Sequence, residues 1–154
     1  MAARSHFLQR GRQRGFTLIE ILVALLVFAF GVLGLVGLQA SAISFSTDAQ
    51  VRADATFLAD QLFARMLISD PSMAASFAHY ATGAPCAPTG SASTNAVVLD
   101  WLDEVIRILP NAAEASQQII VDATTGQVTV GLCWSNGPNG ASHQLVVRNQ
   151  VQWQ

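Results

Sequence analysis

The sequence predicts an α+β fold, a long N-terminal helix packed on a small antiparallel sheet. Three observations predict it. Residues Ile21–Leu38 read ILVALLVFAFGVLGLVGL, eighteen positions without a charged or polar side chain. Next comes a helix-spaced apolar stripe, Val51, Ala55, Leu58, Leu62 and Met66, with Asp48, Arg52, Asp54 and Asp60 at other positions. Late in the chain, Gln118–Asp122, Gln127–Trp134 and Gln144–Val151 read as strands.

The first element is the apolar run. With Phe16–Glu20 added it reaches 23 residues, about 34 Å as a helix and enough to cross a hydrocarbon core. Four of the eight basic residues (Arg4, Arg10, Arg12, Arg14) precede it, and the next, Arg52, lies well beyond. This asymmetry keeps the N-terminus in the cytoplasm and sends the rest outside. From Phe16 onward four arginines face ten carboxylates, a balance of −6, and the chain has no lysine. Such a surface repels phosphate backbones and gives nucleic-acid binding no support.

Three readings compete for this segment. A cleaved secretory signal would use Ala40-Ser41-Ala42, but the apolar run is longer than such signals need. A plain signal anchor accounts for length and orientation and leaves Glu20 unexplained. A carboxylate inside a spanning helix costs roughly 2.5–3.5 kcal/mol at the centre, less near an interface, and calls for a partner.

The string Arg14-Gly15-Phe16-Thr17-Leu18-Ile19-Glu20 supports the third reading. A basic leader ending in glycine, then FTLIE and an apolar run, resembles the class III prepilin signature of the type IV pilin family. The resemblance implies cleavage by prepilin peptidase between Gly15 and Phe16 and N-methylation of Phe16. It also implies that Glu20 pairs with the new amine of an adjoining subunit during assembly. Within one chain that amine and Glu20 stand at i and i+4.

The family's fold would divide the chain in three. Residues 1–15 form the leader, 16–38 the membrane-spanning and filament-core half of the helix, and 39–154 a periplasmic globular domain. A helix from Phe16 to Ser69 would run about 80 Å. The expected partners are the peptidase, the major pilin, other minor pilins, the inner-membrane assembly platform and a tip adhesin. Many major pilins carry a proline in this half-helix, and none is present here. The stretch Gly31–Gln39, the helix Leu58-Ala59-Asp60-Gln61-Leu62 with Arg65-Met66, and Trp101 ahead of Leu109-Pro110 resemble PilV-type minor pilins. Type II secretion pseudopilins share the N-terminal signature and stand as the alternative. A signal-anchored or secreted periplasmic binding domain is the alternative of another class.

Past the helix, Ser69-Asp70-Pro71-Ser72 is a stop signal. Residues 71–96, rich in Ala, Ser, Thr, Gly and Pro, read as a long irregular loop. Val97–Leu109 reads as a short helix ending at Pro110. Thr124-Thr125-Gly126 turns the chain between the first two strands, and Asn136–Gly140 breaks it before the last.

Cys86 and Cys133 are the only cysteines. Export would favour a disulfide closing a loop of about 48 residues, worth on the order of 4 kcal/mol. Two buried thiols are the alternative. No catalytic constellation, cofactor loop or zinc spacing is legible, so the expectation is a structural protein without metal or cofactor. His79 is expected to be a solvated loop residue and His143 a structural one. Asp100, Asp103 and Glu104 are expected on a solvated helix face, and Trp101, Trp134 and Trp153 as core or interface anchors.

Overall fold

A computed structural model of the chain describes residues 15–137 and 140–153. The arginine-rich leader predicted at residues 1–15 therefore lies outside the described residues except for Gly15. The chain divides into two compact units, residues 1–44 and 45–154.

Helix α1 runs Leu18–Leu67, 50 residues. In the first unit it is the only described element, and its residues are exposed throughout. In the second unit its burial is one-sided. Ala55, Leu58, Ala59, Leu62, Phe63 and Met66 are buried, whereas Thr56, Phe57 and Asp60 face out. Steps of three and four keep the buried set on one face. The helix ends where the Ser69 hydroxyl donates to Arg65 O at 2.8 Å and Pro71 forces Asp70 into an extended conformation (φ −60°, ψ 135°).

Helix α2, Ala96–Ile108, starts on an Asn95 cap that accepts from the Val97 N–H at 2.9 Å. It buries Val98, Trp101, Leu102 and Val105. The Trp101 indole N–H donates to Leu58 O at 2.8 Å, tying α2 to α1 at a buried point. Arg65 and Glu104 add a half-exposed ion pair at 3.2 Å. In that setting such a pair contributes about 1 kcal/mol or less.

The main sheet is an antiparallel meander in the order β3 (Gln118–Asp122), β4 (Gln127–Ser135), β5 (Ser142–Gln150). These bounds lie within two residues of those read from sequence. Val128, Val130, Leu132 and Trp134 form the inward row of β4 and join one core with the α1 and α2 faces. The long helix packed on antiparallel sheets makes an α+β architecture consistent with the type IV pilin fold.

The β3–β4 turn is set by Asp122 and Gly126. The Asp122 carboxylate accepts from the Thr125 hydroxyl at 2.8 Å and from the Thr124 and Thr125 N–H groups at 2.9 and 3.3 Å. These bonds, the Thr125 hydroxyl first, hold its pKa below the ordinary value. The turn's support is therefore present above the usual carboxylate range and is lost as pH falls through the lowered value. Gly126 has φ +72°, and a Cβ there would lie 2.5 Å from Val151 O.

Residues 71–96 are more ordered than the sequence suggests. They hold a 3-10 helix, Pro71–Phe77, and a hairpin of β1 (Thr82–Ala84) and β2 (Ala87–Thr89). His79 is a correction: it is fully buried, not solvated. Its main chain exchanges two hydrogen bonds with Ile119, at 3.0 and 2.8 Å, which adds a bridge to the outer side of β3. Its Nδ1 accepts from the Ser93 N–H at 3.1 Å, so the ring proton sits on Nε2, 3.3 Å from Glu114 O. The contacts that order this segment are far away in sequence.

Two substitutions test these points. Gly126→Ala should destabilise the chain by about 1–3 kcal/mol through strain and the Val151 contact. His79→Phe should cost about 2–4 kcal/mol by leaving a buried N–H and carbonyl unpaired. Urea unfolding of the full chain, followed by tryptophan fluorescence, measures both.

Candidate functional site

Gly15, Phe16 and Thr17 precede the helix, and all three are exposed, Phe16 at 79 %. A Cβ on Gly15 would meet nothing within 4 Å. Thr17 starts α1: its hydroxyl accepts from the Glu20 N–H at 3.3 Å and its carbonyl from the same group at 3.1 Å. Threonine followed three residues later by glutamate is the sequence of a capping box, a local role for this pair that sequence reading did not weigh. Glu20 lies in the first turn, where the helix dipole favours a carboxylate. Among the described residues its side chain makes no hydrogen bond or ion pair.

Phe16, Glu20, Ala24 and Phe28 recur at four-residue steps, so one helix face carries a carboxylate between aromatic rings. The uncovered apolar surface continues through Leu38 (69 % exposed), Ile43 and Phe45. One window in α1 is apolar and long enough to cross a membrane, and none of it is buried. Water is a poor solvent for such a surface, so lipid or other protein must cover it.

The second predicted feature lies in the other unit. Cys86 and Cys133 are joined by a disulfide with Cα atoms 5.4 Å apart. Cys86 sits in the β1–β2 turn at φ +65°, and Cys133 is near the end of β4. The bridge pins the short β1–β2 hairpin to the main sheet.

Two buried glutamines, which sequence reading passed over, complete this attachment. The Gln117 side chain accepts from the Cys133 N–H at 2.9 Å and donates to Cys133 O at 3.0 Å and Ala113 O at 2.8 Å. Its amide thus takes the place of main chain beside β4. The Gln118 side chain donates to Tyr80 O at 3.2 Å and Thr82 O at 3.0 Å, holding the base of the hairpin. Neither glutamine has a local sequence signal for this attachment, because Cys133 lies 16 residues from Gln117, and Tyr80 and Thr82 lie 38 and 36 residues from Gln118.

The remaining candidates are structural. His143 stacks on Trp134 with ring centroids 5.9 Å apart. Asn136 donates to Asp48 Oδ1 at 2.6 Å and lies 3.3 Å from His143 Nε2. Trp101 is in the core, and Trp153 packs on Phe77 with centroids 5.7 Å apart. Glu104 pairs with Arg65, while Asp100 and Asp103 are exposed. A recess of about 240 Å³ beside the disulfide includes Asn111 and Ser116, whose side chains donate to Ser135 O and Ala113 O. Among the described residues no three His, Cys, Asp or Glu side chains gather to hold a metal.

Residues 10–36 match the family described as "Prokaryotic N-terminal methylation motif". The matched stretch contains Gly15, Phe16 and Glu20 and most of the apolar run. It supports a pilin- or pseudopilin-type protein, processed by prepilin peptidase and assembled with pilus components. The uncovered helix fits a membrane-anchored subunit that later enters a filament. No curated protein and no solved structure matches the chain.

The disulfide yields a prediction of its own. The cysteines are 47 positions apart, so replacing both by serine should cost on the order of 4 kcal/mol. Thermal unfolding of the two forms measures the difference, and limited proteolysis should cut the 71–96 segment first.

Proposed function

We propose that this chain is a minor pilin, most similar to the PilV type, that helps to prime assembly of a type IV pilus. The observation that carries the reading is the match to the methylation motif on a helix whose apolar surface the chain itself leaves uncovered. In this reading the arginines hold residues 1–15 in the cytoplasm, and residues 39–154 form a periplasmic domain. The disulfide suits that oxidising compartment. Cleavage after Gly15 frees the Phe16 amine, which is then N-methylated.

The chemistry follows from two charges at a low-dielectric boundary. An isolated carboxylate in lipid is costly, and an amine beside it supplies an opposite charge that offsets part of that cost. Within one subunit, Phe16 and Glu20 are one helical turn apart. Between subunits, Glu20 of one would meet the Phe16 amine of the next, fixing their axial register. Helix α1 would leave lipid for a filament core that is equally apolar, so the transfer itself costs little hydrophobic free energy. The lack of proline anywhere before Pro71 supports a minor subunit over a major one.

N-terminal mass analysis of the protein from cells with active prepilin peptidase should find N-methyl-phenylalanine at Phe16. A start at Ser41 or Ile43, or a retained leader, would exclude the proposal. Glu20→Ala should insert normally while filament incorporation falls about ten- to a hundredfold, the loss expected for a charge-assisted contact of about 1.5–3 kcal/mol. Recovery of the processed chain with a type II secretion system, and not with pili, would assign it to the pseudopilins.

A further inference from the structure

The two edges of the main sheet are treated differently. The chain covers part of the outer edge of β3 itself, through the His79–Ile119 bridge. β5 lies at the other edge of the sheet, with β4 as its only strand neighbour among the described residues. Its nine residues pair with β4 in one unbroken register, from Ser142 opposite Ser135 to Gln150 opposite Gln127. The strand has no proline, no glycine and no bulge, the devices that usually blunt such an edge.

The register also shows which main-chain groups are open. The Val151 N–H donates to Gly126 O at 2.8 Å, so position 151 faces β4. In an antiparallel ladder this direction alternates. Asn149, Val147, Leu145 and His143 therefore also face β4, and Gln150, Arg148, Val146 and Gln144 face outward. Gln150 is capped by the Asn149 side chain, whose Oδ1 accepts its N–H at 2.8 Å. That leaves Gln144, Val146 and Arg148 with amides and carbonyls turned to the open side. Val146, at the centre of the strand, is 40 % exposed. Arg148, the only Arg, Lys, Asp or Glu of β5, has no ion pair among the described residues.

We propose that this edge accepts an extended strand from another exported protein, one with a carboxylate placed to meet Arg148. Three open residues offer about six main-chain hydrogen bonds to an added antiparallel strand. Alternating side chains would give specificity: a small apolar residue against Val146 and an acid against Arg148. A second copy of this β5 suits the edge less well, because its sequence SHQLVVRNQ contains no carboxylate. In a molecule with a balance of −6 after Phe16, Arg148 is one of few cations a partner's acid could approach. The proposal rests on the chain being an exported subunit that joins others, but binding at the edge can be measured without filaments.

The test uses the processed full chain in detergent micelles and a synthetic nine-residue peptide, matching the length of β5. The peptide alternates threonine and valine and carries one glutamate in register with Arg148; a second version has lysine there. The glutamate peptide should slow amide hydrogen exchange at Gln144, Val146 and Arg148 at least about tenfold. Arg148→Glu should reverse the preference to the lysine peptide. Val146→Pro should abolish protection while exchange in the β4–β5 ladder stays unchanged, because the lost N–H faces outward. Absence of protection at saturating peptide, or equal protection in Val146→Pro, would overturn the proposal. So would a photo-crosslinker at Gln144 that captures only second copies of this chain in cells. Loss of filament incorporation with peptide binding intact would count against the pilus reading alone.

Discussion

The constraint on which the rest depends is that one helix must satisfy two solvents. From Leu18 to Leu38 every residue of α1 is exposed, and all but Glu20 are apolar or glycine. From Ala55 to Met66 the same helix buries a stripe of six residues at 3 % exposure or less. Hydrophobic burial is non-directional, so the first stretch will take lipid or a filament core equally well. The second stretch is committed to its own sheet. Glu20 marks one end of the uncommitted stretch, the first turn of the helix, with the stretch's only charge.

The buried stripe then organises the second unit. Leu58 contributes its side chain to the core and its carbonyl to the Trp101 indole, so α2 is fixed both by packing and by a directed bond. An unpaired indole N–H in that position would carry a desolvation penalty, which makes other placements of Trp101 costly. The inward row of β4 completes the layer. This part of the fold was legible because its signals are local and periodic. A 3.6-residue stripe, an apolar run stopped by Pro110, and alternation along β4 each need only neighbouring residues. The turn at Asp122–Gly126 belongs with them, since its bonds close within a few positions.

Residues 71–96 were not legible for the opposite reason. The strands TGA and APT have weak β propensity, and Pro88 argues against a strand on its own. Order is imposed from outside by Cys133, the Gln118 amide and the Ile119 main chain. The same holds for His79. Beside a tyrosine in an Ala- and Ser-rich stretch it reads as solvated, but Ser93 and Glu114 supply both of its ring partners. At the N-terminal site, Gly15, Phe16 and Glu20 were legible as a motif because a processing signal must be read from a short linear segment. Thr17 as a helix cap was missed because the same residues already had a functional reading.

The polar groups in this fold therefore serve placement more than stability. Gln117, Gln118 and His79 each cost desolvation, and each returns it through bonds to main chain. Apolar replacements could fill the same volume, but they would not specify where the hairpin lies. That distinction matters at the sheet edges. The fixed hairpin and the His79 bridge lie on the β3 side. The hairpin also approaches β5 through Cys86, whose Sγ lies 3.9 Å from His143 O and from Gln144 Oε1, but among the described residues no main-chain bond covers the outward row of Gln144, Val146 and Arg148. On the strand-addition proposal, a fold that invests buried polar groups to order one side, while leaving a regular nine-residue edge on the other, would separate self-assembly from assembly with others. The N-terminal helix offers a generic apolar surface to any similar helix, and β5 offers main-chain bonds in a defined register. Specificity among subunits that share the same helix chemistry must come from the domain, and an open strand edge is a surface on which register and side-chain order can both be read.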